Sequence, residues 1–380
     1  MIVPNKEFRP NPERGVYIHG VINADLIYQL TPHIIQLQNK NRDPITIYID
    51  SRGGDLSSAQ SLWKLLTCPT LDCQPACRII TVVTTRAASA AADLLSSGDY
   101  AIALPHTTVL YHGSRTSRDI PLTVEMTSAL SYQLRITNDT YANELVRKME
   151  SRLMFRFLFS KNQFMDIRNN ATENLTDSEC FLSVISENLS EGAKKLFETA
   201  RERQGRYAEL LAIAKKAKKY KNVAKREASR IKAIVDYEVK SNKKNKSWTF
   251  QGDGLNRLND DFFLLSEHLA SSENDRISQL CTQWGIFAIS PEEKTEIDNA
   301  PEASRNSLLV KKVRPTLEPI WSFFVALCHA LQEGEHDLTA KDAFWLGLVD
   351  EVMGDSELKC MRVIAEFAPD PPSSAPVQTS

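Results

Sequence analysis

Three short segments of the chain carry residue types that could act together in acyl transfer. Gly53-Gly54 follows a β-branched run, Ser89 lies among alanines, and His112 ends another apolar run. A serine that opens a helix is suited to be a nucleophile, because free amides and the positive end of the helix dipole stabilise a developing negative charge. Paired glycines let backbone amides face a ligand, and a histidine can be the general base. The combination is compatible with a serine hydrolase.

Each of these signals also has a purely structural explanation. Serine is a favoured helix N-cap, a Gly-Gly pair commonly forms a turn, and a histidine at a strand end often makes only structural hydrogen bonds. The chain has no GxSxG nucleophile elbow. The residue types alone therefore indicate a hydrolase without identifying one.

The segments that carry these residues alternate between strand-like and helix-like patterns. Strands are predicted at 16–18, 45–49, 79–84, 100–104 and 108–111. Helices are predicted after the capping residue Asn23, from Ser57 or Ser58, and over 88–95. Pro32 lies inside the first helical pattern, which predicts a kink or a break there. Strands and helices that alternate at these lengths predict crossover units and a mainly parallel sheet, which would bring the three loops to strand ends.

The order and surroundings of the loops resemble the proteolytic subunit of the Clp protease. That family shows IYINSPGG, then GMAASMG with the nucleophilic serine, then ALPN and a strand that ends in the catalytic histidine. The corresponding segments here are IYIDSRGG at 47–54, TRAASAAADLL at 85–95 and ALPHTTVLYH at 103–112. HDLTAKDAFWLGLVDEV at 336–352 resembles the family's C-terminal FLSA…EA…YGLVD segment. Four short motifs in the family's order and spacing make the resemblance specific.

The resemblance implies an α/β fold, a ClpP/crotonase-like core of repeated β-β-α and βαβ units. It implies that Ser89 is the nucleophile and His112 the base, with an oxyanion hole made by the amides of Gly54 (or Gly53) and Ala90. The reaction would be acyl transfer to serine followed by hydrolysis of a polypeptide, with no cofactor and no metal. It also implies a ring of identical subunits, heptameric by analogy, and an AAA+ unfoldase as a partner.

The third member of the catalytic triad is not assigned by the resemblance. The position of the family's aspartate falls on Leu331, which cannot orient a histidine. Glu333 lies two residues away and is the candidate substitute, whereas Glu335 better matches a second, non-catalytic acid of the family. Asp166 and Asn170 are further candidates.

Another departure is Asp93, one helical turn after Ser89, where the family is apolar. The sequence leaves open whether this carboxylate contacts a neighbouring subunit or is simply solvated.

The resemblance is interrupted by a long extra segment. We expect a first part of the core at 1–155, a mostly helical insertion or expanded handle at 156–325, the C-terminal part of the core at 326–355 and a partly disordered tail at 356–380. The family's handle helix corresponds best to 121–148.

Between 194 and 246 the chain has eighteen Lys and Arg against six Asp and Glu. A solvated helical hairpin, a docking surface for an acidic partner and a nucleic-acid site remain open for this stretch; sparse aromatic residues argue against the last.

Composition fits a globular protein of 380 residues, with 42% hydrophobic and 25% charged residues and a net charge of −2. No apolar run reaches the roughly 18 residues that a membrane span needs. The first residues are charged and contain prolines, unlike a secretory signal, so we expect a cytoplasmic protein.

Cys68, Cys73 and Cys77 cluster without a CxxC motif or a nearby histidine, which favours reduced thiols in a loop over a zinc site.

Other functional classes remain open. The unassigned acid and the altered oxyanion loops favour a catalytically silent scaffold or regulatory subunit, whereas intact Ser89 and His112 favour a peptidase. A nucleic-acid-associated protein would bind through 194–247 in a salt-dependent way. Acyl-CoA chemistry on the related crotonase fold gives no role to the Ser89–His112 pair.

Overall fold

The structure is a computed structural model and describes residues 8–68, 76–115, 123–159, 175–217, 291–301, 308, 319–320, 322–355 and 357–358. No helix within these ranges is long and apolar enough to cross a membrane.

The first third of the chain alternates strands and helices. It contains, in order, β1 (Gly15–Ile22), α1 (Ala24–Lys40), β2 (Ile45–Gly54), α2 (Leu56–Thr67), β3 (Ile79–Ala88), α3 (Ala90–Ser97), β4 (Tyr100–Ala103) and β5 (Thr108–His112). β1 pairs with β2, and β2 pairs with β3, both in parallel. The predicted mainly parallel α/β sheet is therefore confirmed. Every strand that was expected in this region is present, but β1, β2 and β3 run four or five residues past their predicted ends, so that Gly53-Gly54 ends β2 and does not lie in a loop after it.

β3 is the strand on which the arrangement of the site depends. Its residues 80–83 pair with β4, and its residues 86–88 pair with β5, in both cases in parallel. The two partners therefore occupy successive halves of the same side of β3. Since Ser89 directly follows β3 and His112 ends β5, this pairing brings the two residues to one edge of the sheet.

The C-terminal segment completes the same sheet. β6 (Glu335–Thr339) pairs antiparallel with β5, and β7 (Glu351–Val352) pairs in parallel with β4. Between them lies α9 (Ala340–Trp345), and the helical residues 322–331, here called α8, precede β6. The path through the sheet is β1-β2-β3-β4-β7, with β5 and β6 branching from β3.

Four further helices lie between β5 and α8 in the described ranges, three of them before residue 218. These three are α4 (Val124–Phe159), which overlaps the expected handle over 124–148 and continues beyond it, α5 (Asp177–Asn188) and α6 (Glu191–Ala217). α7 (Pro291–Asn299) follows later in the chain. Phe181 and Phe197, from α5 and α6, are buried in the same hydrophobic cluster as Phe323 of α8. The described start of the extra segment therefore packs onto the core, while most of the basic stretch lies outside the described residues.

Helix α1 begins where the sequence predicts, because the side chain of Asn23 accepts a hydrogen bond from the Leu26 amide at 3.0 Å. The predicted break at Pro32 does not occur, and the helix continues to Lys40. A proline removes the hydrogen bond to the carbonyl four residues earlier. That residue is Tyr28, which is 83% exposed, so water can satisfy the carbonyl. α2 begins at Leu56, slightly before the predicted start, because Asp55 is its N-cap.

Candidate active site

Ser89 occupies a strained junction between β3 and α3. Its φ of 55° is positive, which no other non-glycine residue shows in the part of the chain that the structure describes. The backbone is held from both sides, because the Ser89 amide donates to the Leu110 carbonyl at 2.8 Å and the Ser89 carbonyl accepts from the amide of Ala92 at 2.8 Å. A conformation of this kind persists only where the surrounding structure imposes it, and it is concentrated at functional sites.

The hydroxyl of Ser89 is not used to cap the helix. Ser89 is in the N-cap position of α3, yet its side chain makes no capping hydrogen bond. The structural explanation for a serine at this position is therefore not realised. The side chain is half-buried and lines a cavity of about 580 Å³.

The Gly53-Gly54 end of β2 lies directly against Ser89. Gly53 has a φ of +87°, and a Cβ at this position would lie 2.5 Å from the Ala88 carbonyl oxygen and 2.7 Å from the Ser89 Cβ. Only glycine permits both the conformation and the approach. The Ser51 hydroxyl fixes this end of β2, because it donates to the Gly20 carbonyl at 2.6 Å and accepts from the Gly53 amide at 3.0 Å.

Two of the three expected oxyanion donors remain suitable. The Gly53 amide already donates to Ser51, so it is the weaker candidate. Gly54 and Ala90 line the same cavity as Ser89. Ala90 is the first residue of α3, and the first amides of a helix have no intrahelical acceptor. The geometry allows these two amides to stabilise an oxyanion next to Ser89.

His112 lines the cavity together with Ser89 and is half-buried. Its Nδ1 lies 2.7 Å from the Gly113 carbonyl oxygen. Among the hydrogen bonds of the described residues, none joins the Ser89 hydroxyl to His112. Catalytic hydrogen bonds are often long without substrate and shorten in the reacting complex, so sharing one cavity is the relevant relationship here.

No carboxylate orients His112 within the described part of the chain. Glu333 is half-exposed, and its Oε2 accepts from the Arg203 guanidinium at 2.6 Å. The structure therefore does not bring the candidate third residue to His112. Leu331, at the position of the family's aspartate, is fully buried. Asp166 and Asn170 lie outside the described residues.

Glu335 is the acid nearest to His112 along the sheet, because the two residues are direct partners in the β5–β6 pair. Its carboxylate accepts a hydrogen bond from the exposed Arg115. That hydrogen bond and the positive charge of Arg115 hold the pKa of Glu335 below its usual range. The hydrogen bond that the structure gives this carboxylate is therefore to Arg115, while the charge of His112 makes a smaller contribution to the lowered pKa of Glu335.

Asp93 faces the site within its own subunit. It lines the cavity of Ser89 and also an adjoining cavity of about 810 Å³ between α2, α3 and α4. Tyr141 of α4 lies at the boundary of both cavities. Burial, and then the negative charges of Asp93 and Glu144, raise the pKa of the Tyr141 hydroxyl. Two of the residues that line the cavity of Ser89, Asp55 and Asp93, are therefore acidic.

Sequence reasoning missed three residues that the fold delivers to this region. Tyr141 and Asn138 come from α4, and Gln332 directly follows α8; Tyr141 and Gln332 line the cavity of Ser89. Asn138 contacts the segment after His112 through its amide. These residues are far from the motifs in sequence, and no spacing pattern links them to Ser89.

No described cysteine is among the residues that line the cavity of Ser89. Within the described ranges, no three His, Cys, Asp or Glu side chains are grouped so that they could hold a metal ion. Cys77 is buried and Cys68 is exposed, both as free thiols, while Cys73 lies outside the described residues.

Comparison with protein families identifies one matching region. Residues 9–151 match the Clp protease family model. Comparison with the curated proteins gives no match. The matched region contains Gly53, Ser89 and His112, and the parallel sheet that carries them is the one expected for the family. The chain therefore contains a ClpP-like region at residues 9–151, carried on the mainly parallel α/β sheet that is expected of such a region.

Proposed function

We propose that the protein is a Clp-type serine endopeptidase that hydrolyses peptide bonds of unfolded proteins or peptides. The observation that carries the proposal is the strained Ser89, whose hydroxyl makes no capping bond and which lines one cavity together with His112, Ala90 and Gly54. A serine without this role would be expected to cap α3. A positive φ at a non-glycine residue would be an unexplained cost.

The reaction follows from the positions of these groups. His112 Nε2 accepts the proton of the Ser89 hydroxyl while Oγ attacks the carbonyl carbon of the scissile peptide. The amides of Ala90 and Gly54 stabilise the resulting oxyanion. When the C–N bond breaks, the imidazolium returns the proton to the leaving amine. Water, activated by His112, then hydrolyses the acyl-serine and regenerates the free hydroxyl.

The proposal extends to assembly and location. By analogy with the Clp family it would act in the cytoplasm as a heptameric ring of identical subunits that encloses the serines, with an AAA+ unfoldase as partner. Self-association and a polypeptide substrate are what the Clp protease region supports. Light scattering and mass photometry of the purified chain would measure the number of subunits.

A second function is favoured by one specific observation. No carboxylate orients His112 among the described residues, and Glu333 is bound to Arg203. A catalytically silent scaffold or regulatory subunit would tolerate this arrangement. It would retain the sheet and the ring while losing the reactive serine.

Labelling with a fluorophosphonate probe separates the two functions. A peptidase predicts labelling of the wild type that Ser89→Ala and His112→Ala both abolish. Ser61→Ala is the matched control, because Ser61 is an exposed serine that lines the adjoining cavity and should leave labelling unchanged. No labelling of a folded, assembled wild type would support the silent scaffold. The size of the particle is measured on the same sample.

A further inference from the structure

The contact between His112 and Gly113 determines which nitrogen of the imidazole carries a proton. The partner of Nδ1, at 2.7 Å, is the carbonyl oxygen of Gly113. A carbonyl oxygen only accepts hydrogen bonds, so Nδ1 must be the donor. In the neutral imidazole, Nε2 is then unprotonated and can accept a proton from a serine. This is the tautomer that the acid of a full triad normally imposes.

The carbonyl of Gly113 is held in place by the other end of the same peptide group. The Ser114 amide, which belongs to the Gly113–Ser114 peptide, donates to Asn138 Oδ1 at 2.8 Å. A trans peptide is planar, with its N–H and C=O pointing in opposite directions. Fixing the N–H on Asn138 therefore aims the carbonyl oxygen at His112.

The orientation of the Asn138 amide is itself fixed by the backbone. Its Nδ2 donates to the Gln332 carbonyl at 3.2 Å, while its Oδ1 accepts from Ser114. Exchanging the two amide atoms would place an acceptor against the Gln332 carbonyl and a donor against the Ser114 amide. The hydrogen-bond polarity is therefore determined along the whole chain of contacts, from Gln332 through Asn138 to His112.

Gly113 packs closely against Asn138 of α4 and against Gln332 after α8. A Cβ at Gly113 would lie 2.5 Å from the Gln332 carbonyl oxygen and 2.9 Å from the Asn138 Nδ2. The peptide after Gly113 thus has little room to turn over. A flip would point its N–H at His112 Nδ1 and impose the opposite tautomer.

We propose that the Gly113 carbonyl takes the place of a triad acid at Nδ1 of His112, and that Asn138 is a positioning residue that fixes this carbonyl and hence the tautomer of His112. The inference rests on the proposed function for its catalytic consequence, but the tautomer itself does not. A carbonyl holds the imidazole in the correct form without supplying the negative charge that stabilises an imidazolium. Hydrogen bonds in such a series also polarise one another, which strengthens the acceptor at Gly113.

The charged groups around His112 do not provide an alternative orienting group. Glu335, opposite His112 on β6, is bonded to Arg115. Asp55 and Asp93 line the cavity on the side of α2 and α3, and the Asp55 carboxylate accepts hydrogen bonds from Ser57 and Ser58 at the start of α2. The Gly113 carbonyl is the acceptor that the geometry assigns to Nδ1.

The tautomer is measured directly by ¹⁵N NMR of full-length protein labelled at histidine. His112→Gln assigns the His112 signals, and the measurement is made at about pH 8.5, where histidines of ordinary pKa are neutral. The wild type should show a protonated Nδ1 and an unprotonated Nε2 at His112. A protonated Nε2 would overturn the proposal, whether or not Ser89 reacts with the probe.

Variants of Asn138 test the positioning role. Asn138→Ala should give a mixture of tautomers at His112 and slow fluorophosphonate labelling by between about tenfold and 10²-fold. Asn138→Asp keeps an acceptor for the Ser114 amide but loses the donation to the Gln332 carbonyl, so it should retain more of the wild-type tautomer than Asn138→Ala does. Thr140→Ala is the matched control, because Thr140 is exposed on the same helix and bonds only within it, to Ile136.

The outcomes separate this inference from the proposed function. A wild type with protonated Nδ1 and an Asn138→Ala variant with mixed tautomers would support the inference even if the probe labelled nothing, in which case only the peptidase fails. If Asn138→Ala kept both the wild-type tautomer and the wild-type labelling rate, the positioning role of Asn138 would be refuted. Should Asn138→Ala not fold, the wild-type tautomer and the Asn138→Asp variant still decide the matter.

Discussion

Arg152 Nε lies 2.7 Å from Asp350 Oδ2, and this buried ion pair joins the handle helix to the C-terminal segment across 198 residues. Both side chains are almost completely excluded from solvent. The guanidinium also donates to the carbonyls of Ser96 and Gly98 at the end of α3, at 2.8 and 2.7 Å. One residue thus connects the helix that begins next to Ser89 with α4 and with the last strand of the sheet.

Breaking this pair should strongly destabilise the fold. Asp350→Ala leaves the buried Arg152 charged and without its carboxylate, which is expected to lower the free energy of unfolding by about 3–5 kcal/mol. Urea unfolding followed by circular dichroism measures the change. The double variant Arg152→Met/Asp350→Leu should recover much of the loss, because no buried charge remains. Glu191→Gln removes the exposed pair with Lys194 and should change little; an equally small effect of Asp350→Ala would contradict the prediction.

Gly53→Ala tests whether the approach of Gly53 positions the serine. The new Cβ would overlap the Ala88 carbonyl oxygen and the Ser89 Cβ, so Ser89 must move. A displacement of about 1 Å can reduce the rate by roughly 10²-fold, and we expect a loss of this order in fluorophosphonate labelling. Gly20→Ala is the matched control. Gly20 has a similar φ of +77°, but a Cβ there has nothing within 4 Å. Equal labelling by the two variants would refute the steric argument.

Asp55 should make the stability of α2 depend on pH. Hydrogen bonds from the side chains of Ser57 and Ser58 and from the Ser58 amide lower the pKa of the Asp55 carboxyl. Its contribution is therefore fully present above the unfolded pKa of about 3.9 and is lost as the pH falls through the folded pKa.

Two variants of Asp55 measure this contribution. Asp55→Ala removes the helix cap and should cost about 1 kcal/mol at pH 7. Asp55→Asn keeps an acceptor for the Ser58 amide and should lose less stability than the wild type between pH 5 and pH 3. Urea titrations at these pH values compare the three proteins. A wild type and an Asp55→Asn variant with identical acid dependence would show that the carboxylate is not the source.

Asp93 should influence which peptide bonds are cleaved, if the protein is the proposed peptidase. It lines the cavity beside Ser89, where the pKa of Tyr141 reports the negative charge of Asp93 and Glu144. The apolar side chains of Trp63 and Leu145 also line this cavity and suit the methylenes of a lysine. Peptides with lysine before the scissile bond are therefore expected to be cleaved in preference to those with glutamate.

Neutralising the carboxylate tests this preference. Asp93→Asn should reduce the ratio of kcat/KM for a lysine peptide over a leucine peptide by about tenfold, equivalent to about 1.4 kcal/mol. Asp25→Asn, on the exposed face of α1, is the control and should leave the ratio unchanged. A ratio that Asp93→Asn does not alter would show that the cavity does not receive this side chain of the substrate.

Most of the secondary structure around the site was predictable because its signals are local. The β-branched run before Gly53 reads as a buried strand, and the Asn23 side chain caps α1 in the way its type predicts. Pro32 shows the limit of local rules, since the helix continues where its freed carbonyl is on an exposed face. The fate of a missing hydrogen bond depends on solvent access, which a single sequence does not give.

The sequence by itself determined the parallel α/β fold and the residues that could react, because the order of short motifs around Gly53, Ser89 and His112 is a property of the chain. Only the tertiary structure decided what surrounds them. It directed Glu333 to Arg203 and brought Asn138 to the peptide after His112. The reason is physical: an imidazole is oriented by whichever acceptor the packing delivers, and that acceptor can be a backbone carbonyl, which every residue has and no motif marks.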